Sequence, residues 1–316
     1  MVRYLLRRLG FAVLLVFVVA SASLVLTRLA PGDFATEAFG LGANPRTVAR
    51  ARARYGLDEP ILTQYGLWLA HAARLDFGTS LLYGRPVAQL IPQRAANTAL
   101  LALAALLLAT LVGLPLGVVS GSRPGPLATA IRLVSLLLLS MPPLVTSLLF
   151  VFVAARTGWF PIGGMSSLDV SGFGLVRDVL WHLTLPAVAL ALPVAAMFER
   201  LQSQAMAEAL TQPFVLAARA RGVPPGRLIW RDALRVAIRP CASVYGLVVG
   251  TLLSGSFIVE IVTAWPGLGR LMYDALRARD VYLVTGCAAA GALFLAAGSV
   301  ISDLALAAAD PRVRAQ

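Results

Sequence analysis

The sequence predicts an all-α membrane protein with six transmembrane helices and an extracytoplasmic insertion after the first. Three observations carry that prediction. Of 316 residues, 59% are hydrophobic and only 13% are charged, against about 25% charged in an ordinary soluble domain. Several apolar runs reach the roughly 20 residues a helix needs to cross a bilayer. Between two of them lies a polar island, residues 208–240, with six arginines (219, 221, 227, 231, 235 and 239) against Glu208 and Asp232. Arginine is costly in hydrocarbon, so this island faces water.

Taken in order, residues 1–29 are an N-terminal segment and first span. Arg3, Arg7 and Arg8 precede an uninterrupted apolar or small run over 9–26. Ser21, Ala22 and Ser23 offer the small residues of a signal-peptide cleavage site, but the run exceeds the usual core of about 7–15 residues, so the span is retained. Residues 30–95 are the one long polar excursion, an extracytoplasmic subdomain. Asn44 and Pro45 start a helix, residues 48–55 continue it and Gly56 stops it. From Pro60, the spacing of Ile61, Tyr65, Leu69 and Ala72 predicts an amphipathic helix on or near the membrane. Residues 96–316 make a five-helix core, with spans at 98–119, 127–153, 183–203, 241–262 and 281–308. Pro142, Pro143, Pro186 and Pro193 fall within spans and predict kinks or breaks.

An even number of spans puts both termini on one side. With the N-terminus inside, 13 arginines fall in inner segments and 12 in outer ones. The positive-inside rule holds for loops shorter than about 60 residues, and the first outer segment is longer. Without it the count is 13 against 5, which makes 206–240 a cytoplasmic loop.

The basic balance, +12 from 27 arginines and no lysine, is scattered through short loops and forms no nucleic-acid-binding domain. A Walker A loop needs its lysine, so this chain does not hydrolyse ATP in the P-loop manner, and Schiff-base chemistry is closed to it. Cys241 and Cys287 fall in different spans, and His71 and His182 are the only histidines; neither a disulfide nor a metal site is expected. A secondary transporter would carry coupling acids at mid-span, which are missing here. An intramembrane hydrolase would have only Ser254 or Ser256 with His182 to use. Glu260 and Asp303, near the outer and inner membrane borders, suit either gating and amine recognition or an interspan hydrogen bond.

Within the island, residues 208–220 favour a helix that Gly222, Val223, Pro224 and Pro225 stop. Pro225 opens a second helix running to about Ile238, and Pro240 opens the next span. The product is a two-helix knob on the membrane surface.

This island resembles the coupling loop of ABC importer permeases, in particular the B-type permease subunit of dipeptide, oligopeptide and nickel import systems. ALTQPFVLAARARGVPPGRLIWRDALRVAIRP carries the likeness, and YGLDEPILTQY (55–65), DFGTS (76–80), SMPP (140–143), GSFIVEIVTAWPGLG (255–269) and SDLALAAADPRVR (302–314) extend it in order along the chain. The chain departs from the pattern at Asp232, usually His, at Val236, often Asn, at Pro213 and Phe214, and at Phe34 after the PGD run. The resemblance implies a type I ABC importer permease fold in a bacterial inner membrane. It implies a homologous second permease, two ATPase subunits that bind ATP and Mg, an extracytoplasmic solute-binding protein, and no cofactor in this chain. ATPase coupling would fall to Glu208, Ala218, Arg219, Ala220, Gly222, Arg231, Asp232 and Pro240, with Ala218 and Ala220 keeping the docking face slim. A pathway or gate would use Ser140, Pro142, Pro143, Ser254, Gly255 and Glu260, and the binding protein would meet Trp265, Pro266, Gly267 and Gly269 in a tight external loop. Peptides are the implied cargo, with nickel chelates, opines and glycosides as alternatives.

Overall fold

The computed structural model describes residues 2–40, 44–74, 76–167 and 171–309, with main chain alone for 2–6, 254 and 301–309. Helix α1 (Val2–Leu29) is followed by the short helices α2 (Phe34–Phe39), α3 (Pro45–Arg54) and α4 (Ile61–Ala72), then by the long α5 (Val87–Ser122). Helices α6 (Pro126–Ser140) and α7 (Pro143–Thr157) meet at a bend of 102°. Next come α8 (Phe173–Leu210), α9 (Pro213–Ala220), the single turn α10 (Pro225–Arg227), a π-helical turn over Leu228–Ala233, and α11 (Leu234–Ala237). The chain ends with α12 (Arg239–Val262), α13 (Leu268–Arg277) and α14 (Val281–Ala309).

Among the described residues four helices are long and apolar enough to cross a membrane: α1 from Arg7, α5, α8, and α14 to Val300. Two bent pairs, α6 with α7 and the segment Pro225–Ala237 with the first part of α12, bring the number to six when each counts as one span. Helix α12, with 24 residues, is by itself roughly 36 Å long, more than a hydrocarbon core of about 30 Å.

The chain divides into two compact units. One comprises residues 1–99 and 266–297. Here Ala20 and Leu24 of α1 pack with Trp68 of α4 and with Val281 and Ala289 of α14, and the Ser21 hydroxyl lies 3.0 Å from the Tyr65 hydroxyl. Asp33 caps α2 through the Thr36 N–H and hydroxyl and pairs with Arg52 at 2.6 Å. Partial burial raises its pKa, but these hydrogen bonds and the guanidinium prevail and hold the carboxyl below its usual range. Asp280, fully buried, caps α14 through the Leu283 N–H and accepts from the Ser80 hydroxyl at 2.6 Å and the Leu82 N–H at 3.0 Å. It thereby ties the loop before α5 to the start of α14.

The other unit comprises residues 100–265 and 298–316. Its core joins Leu101, Ala105 and Ala109 of α5, Leu183, Leu190 and Phe198 of α8, Val248, Leu252 and Val259 of α12, and Trp265. Gly113, Gly117 and Gly121 of α5 let two main chains meet. A Cβ at those positions would lie 2.5, 2.7 and 2.3 Å from the carbonyl oxygens of Ala195, Glu199 and Ser203 on α8. Tyr245 of α12 closes the group, stacking on Phe198 at 4.9 Å and reaching the Thr110 hydroxyl at 2.7 Å.

Several expectations shift in the structure. The expected span over 183–203 is the middle of α8, which begins ten residues earlier and runs unbroken through Pro186 and Pro193. The expected helix over 208–220 is two pieces, because Pro213 starts α9 afresh after Thr211 and Gln212. Pro142 and Pro143 do break their span, as Met141 takes an extended conformation and Pro143 sits in the first turn of α7.

Candidate functional site

The polar island folds as the expected knob, and its geometry starts at Gly222. This residue has φ +77°, which suits glycine. The Gly222 N–H donates to the Arg219 carbonyl at 2.9 Å and the Val223 N–H to the Ala218 carbonyl at 3.1 Å. These are the two bonds of a Schellman stop, and Val223 completes it by packing back on the buried Val215, Ala218 and Leu228. Pro225 then opens the return segment, whose π-helical turn widens the helix by one residue. A second apolar cluster, Ala233 and Ala237 against Val118 of α5 and Ala205, Met206 and Ala209 of α8, fixes the knob to both flanking helices.

The residues expected to couple to an ATPase take different stations. Glu208, Arg219, Ala220, Gly222, Arg231 and Pro240 are exposed, and Asp232 is half-buried. Ala218 is buried, so its small size serves the packing of α9 on Leu228 and not a docking face, which corrects the expectation. Leu216 and Trp230, 65% and 51% exposed, join the outer face; large apolar side chains open to water were the missed signal of a contact surface. Under the knob, Arg123 and Arg219 line a cavity of about 260 Å³ with Leu210 and Leu228.

Of the residues expected to line a pathway or gate, three lie at the joint between α6 and α7 and the others on α12. Ser140, Pro142 and Pro143 sit at the 102° bend, with the Ser140 hydroxyl donating back to the Leu136 carbonyl at 2.9 Å. Gly255 and the fully buried Glu260 lie on α12, and the Ser254 side chain lies outside the described residues, as does that of Asp303. His182 donates from Nδ1 to the Asp178 carbonyl at 2.9 Å, and Ser256 donates to Leu253 in its own helix. Neither contact is that of a nucleophile with its base.

Trp265, Gly267 and Gly269, expected to meet a binding protein in a tight external loop, are buried, and Pro266 is half-buried with its carbonyl accepting from Asn97 at 2.8 Å. The loop is largely α13, whose Leu268, Leu271 and Ala275 turn inward while the Leu268 N–H is capped by the Thr98 hydroxyl at 2.8 Å. Its i, i+3, i+7 apolar spacing was visible in the sequence. A direct binding-protein contact at Trp265 is thereby corrected to a structural anchor.

The described residues thus hold helices of membrane length, continuous and broken, and a Gly-stopped knob fixed to two of them. Residues 113–315 match the family described as binding-protein-dependent transport system inner membrane component, and residues 1–101 match the N-terminal domain of such membrane components. The chain belongs to this family of inner-membrane permeases. It is 32% identical over 316 residues to the oligopeptide transport system permease protein AppB of Bacillus subtilis (strain 168), covering 99% of each chain. It is 34% identical over 316 residues to a putative peptide transport system permease protein of Brucella abortus (strain 2308), again covering 99% of each. A probable peptide ABC transporter permease protein of Sinorhizobium fredii, y4tP, is 32% identical over 314 residues, covering 98% of this chain and 99% of its own.

Proposed function

We propose that this chain is one permease of an ATP-driven importer of short peptides, contributing half of the translocation pathway. A homologous second permease supplies the other half. Two cytoplasmic ATPase subunits bind ATP and Mg, and an extracytoplasmic binding protein delivers the peptide. Both termini and the 206–240 knob face the cytoplasm. The peptide cargo follows the names of the relatives, all of them peptide or oligopeptide permeases.

One observation carries the coupling role: the Gly222 turn presents an exposed tip while its inner side is locked by apolar packing to α5 and α8. A partner that grips the tip moves those helices with it, because a packed core passes on displacement instead of absorbing it. The bend at Ser140–Pro143 lets α6 and α7 respond separately, which supports a gate there. Glu260 and Gly255 lie on α12, which shares one packed core with α5 and α8 and so follows their displacement.

Gly222→Trp tests this reading. None of the described residues lies within 4 Å of a Cβ at this position, so the large ring projects outward, at a backbone strain of about 1–2 kcal/mol. The expected result is normal membrane insertion with loss of ATPase-subunit co-purification. A variant that assembles and transports as the parent does refutes docking at this turn.

A further inference from the structure

Two arginines from separate elements share the cavity under the knob, with no charge there to answer them. Arg123, in the turn between α5 and α6, and Arg219, on α9, line this space of about 260 Å³. Both side chains are exposed, while Leu210, Val223 and Ile229 line the same cavity half-buried. Among the described residues no acid lines the cavity, and neither guanidinium has a hydrogen-bond or ion-pair partner. Like charges that share a cavity repel, and an anion between them relieves the repulsion. The depth of the site follows from α5. Its apolar stretch ends at Val119, and Arg123 stands roughly 6 Å further along, at about 1.5 Å per residue. A headgroup layer adds about 5–8 Å on each side of the hydrocarbon core, so Arg123 falls at the level of lipid phosphates.

We propose that this cavity holds the phosphate of an anionic phospholipid, with Arg123 and Arg219 on its oxygens and the glycerol carbons against Leu210, Val223 and Ile229. Guanidinium groups suit phosphate because each can donate two parallel N–H bonds to it, and basic pockets beside membrane helices are ready sites for anionic headgroups. Phosphatidylglycerol brings no cation. Choline or ethanolamine headgroups would carry a positive charge into a cavity without an acid to receive it. Free inorganic phosphate shares the anionic chemistry but leaves the apolar side chains uncovered. Because Arg123 follows a membrane helix and Arg219 belongs to the knob, one phosphate held by both ties the knob to the lipid surface. That such a tie tunes coupling to ATPase subunits rests on the importer reading above; the pocket and its charge do not.

The test titrates the full chain in detergent micelles with phosphatidylglycerol or phosphatidylcholine, and native mass spectrometry reads the bound lipid. The parent is expected to prefer phosphatidylglycerol. Arg123→Gln, on an exposed side chain and so harmless to folding, should weaken phosphatidylglycerol binding roughly tenfold, as loss of a charge-assisted hydrogen bond requires, and leave phosphatidylcholine binding unchanged. Arg227→Gln removes the same charge from an exposed arginine of the knob that does not line the cavity, and should bind phosphatidylglycerol as the parent does. Equal losses in the two variants would mean a diffuse surface attraction and overturn the site. Displacement of phosphatidylglycerol by inorganic phosphate in the parent, and not in Arg123→Gln, would keep the anion site and replace the lipid with the free ion as its occupant. Unchanged lipid binding in Arg123→Gln together with lost ATPase-subunit co-purification would give the cavity to a carboxylate of that subunit and end the lipid proposal. Failure of the lipid site leaves the importer reading intact, since co-purification with Gly222→Trp decides that reading separately.

Discussion

Gly117 shows how one missing side chain sets a helix separation. A Cβ there would stand 2.6 Å from the Gln202 Cβ and 2.7 Å from the Glu199 carbonyl oxygen, so the opposing wall is main chain and cannot step aside. Gly117→Leu is expected to lower stability by about 1–3 kcal/mol or more, the usual cost of overpacking, seen as a drop in the apparent melting temperature of the purified chain. An unchanged melting curve would mean that α5 and α8 are not in contact here. The sequence displayed Gly113, Gly117 and Gly121 at helical spacing, but not their partners. A stripe of glycines predicts close approach to something, and only the fold shows that Ala195, Glu199 and Ser203 face it. Gly222 was fully legible by contrast, because a helix stop is local and needs only Gly and the following prolines to announce it.

At the scale of elements, the knob depends on the joint between α9 and the return segment. Leu228 is 3% exposed and packs on Val215 and Ala218. Leu228→Ala removes that contact, at a cost of about 2–5 kcal/mol for a buried leucine. The expected phenotype is specific: ATPase subunits still co-purify, through the exposed tip, while peptide-dependent stimulation of ATP hydrolysis falls, because the joint now yields. Normal stimulation would place the force path elsewhere. Element boundaries were the less legible part of the sequence. Helix α8 outran its expected span at both ends, because neither 173–182 nor 204–210 carries a proline to stop it. The π-helical turn at Leu228–Ala233 left no signal, since it follows from fitting Ala233 and Ala237 onto α5 and α8. Pro142 and Pro143 announced a break but not its 102° angle, which the packing of α6 and α7 against α8 decides.

For the whole molecule, the absence of lysine separates transport from energy supply. The purified chain is expected to show no ATPase activity above background, measured by phosphate release; mutation-sensitive hydrolysis by it alone would end that division of labour. The bend at Met141 carries a last consequence, one of hydration. Where α6 stops, its final carbonyls lose their helical donors; among the described residues one long bond, from the Met141 N–H to the Leu138 carbonyl at 3.3 Å, compensates. Lipid tails offer these groups nothing, so irregular backbone at membrane depth must lie against protein or water. The elbow therefore works as a dampness marker: wherever the membrane spans face hydrocarbon, Ser140–Pro143 faces away from it, and solvent entering the bilayer through this protein should wet that corner first.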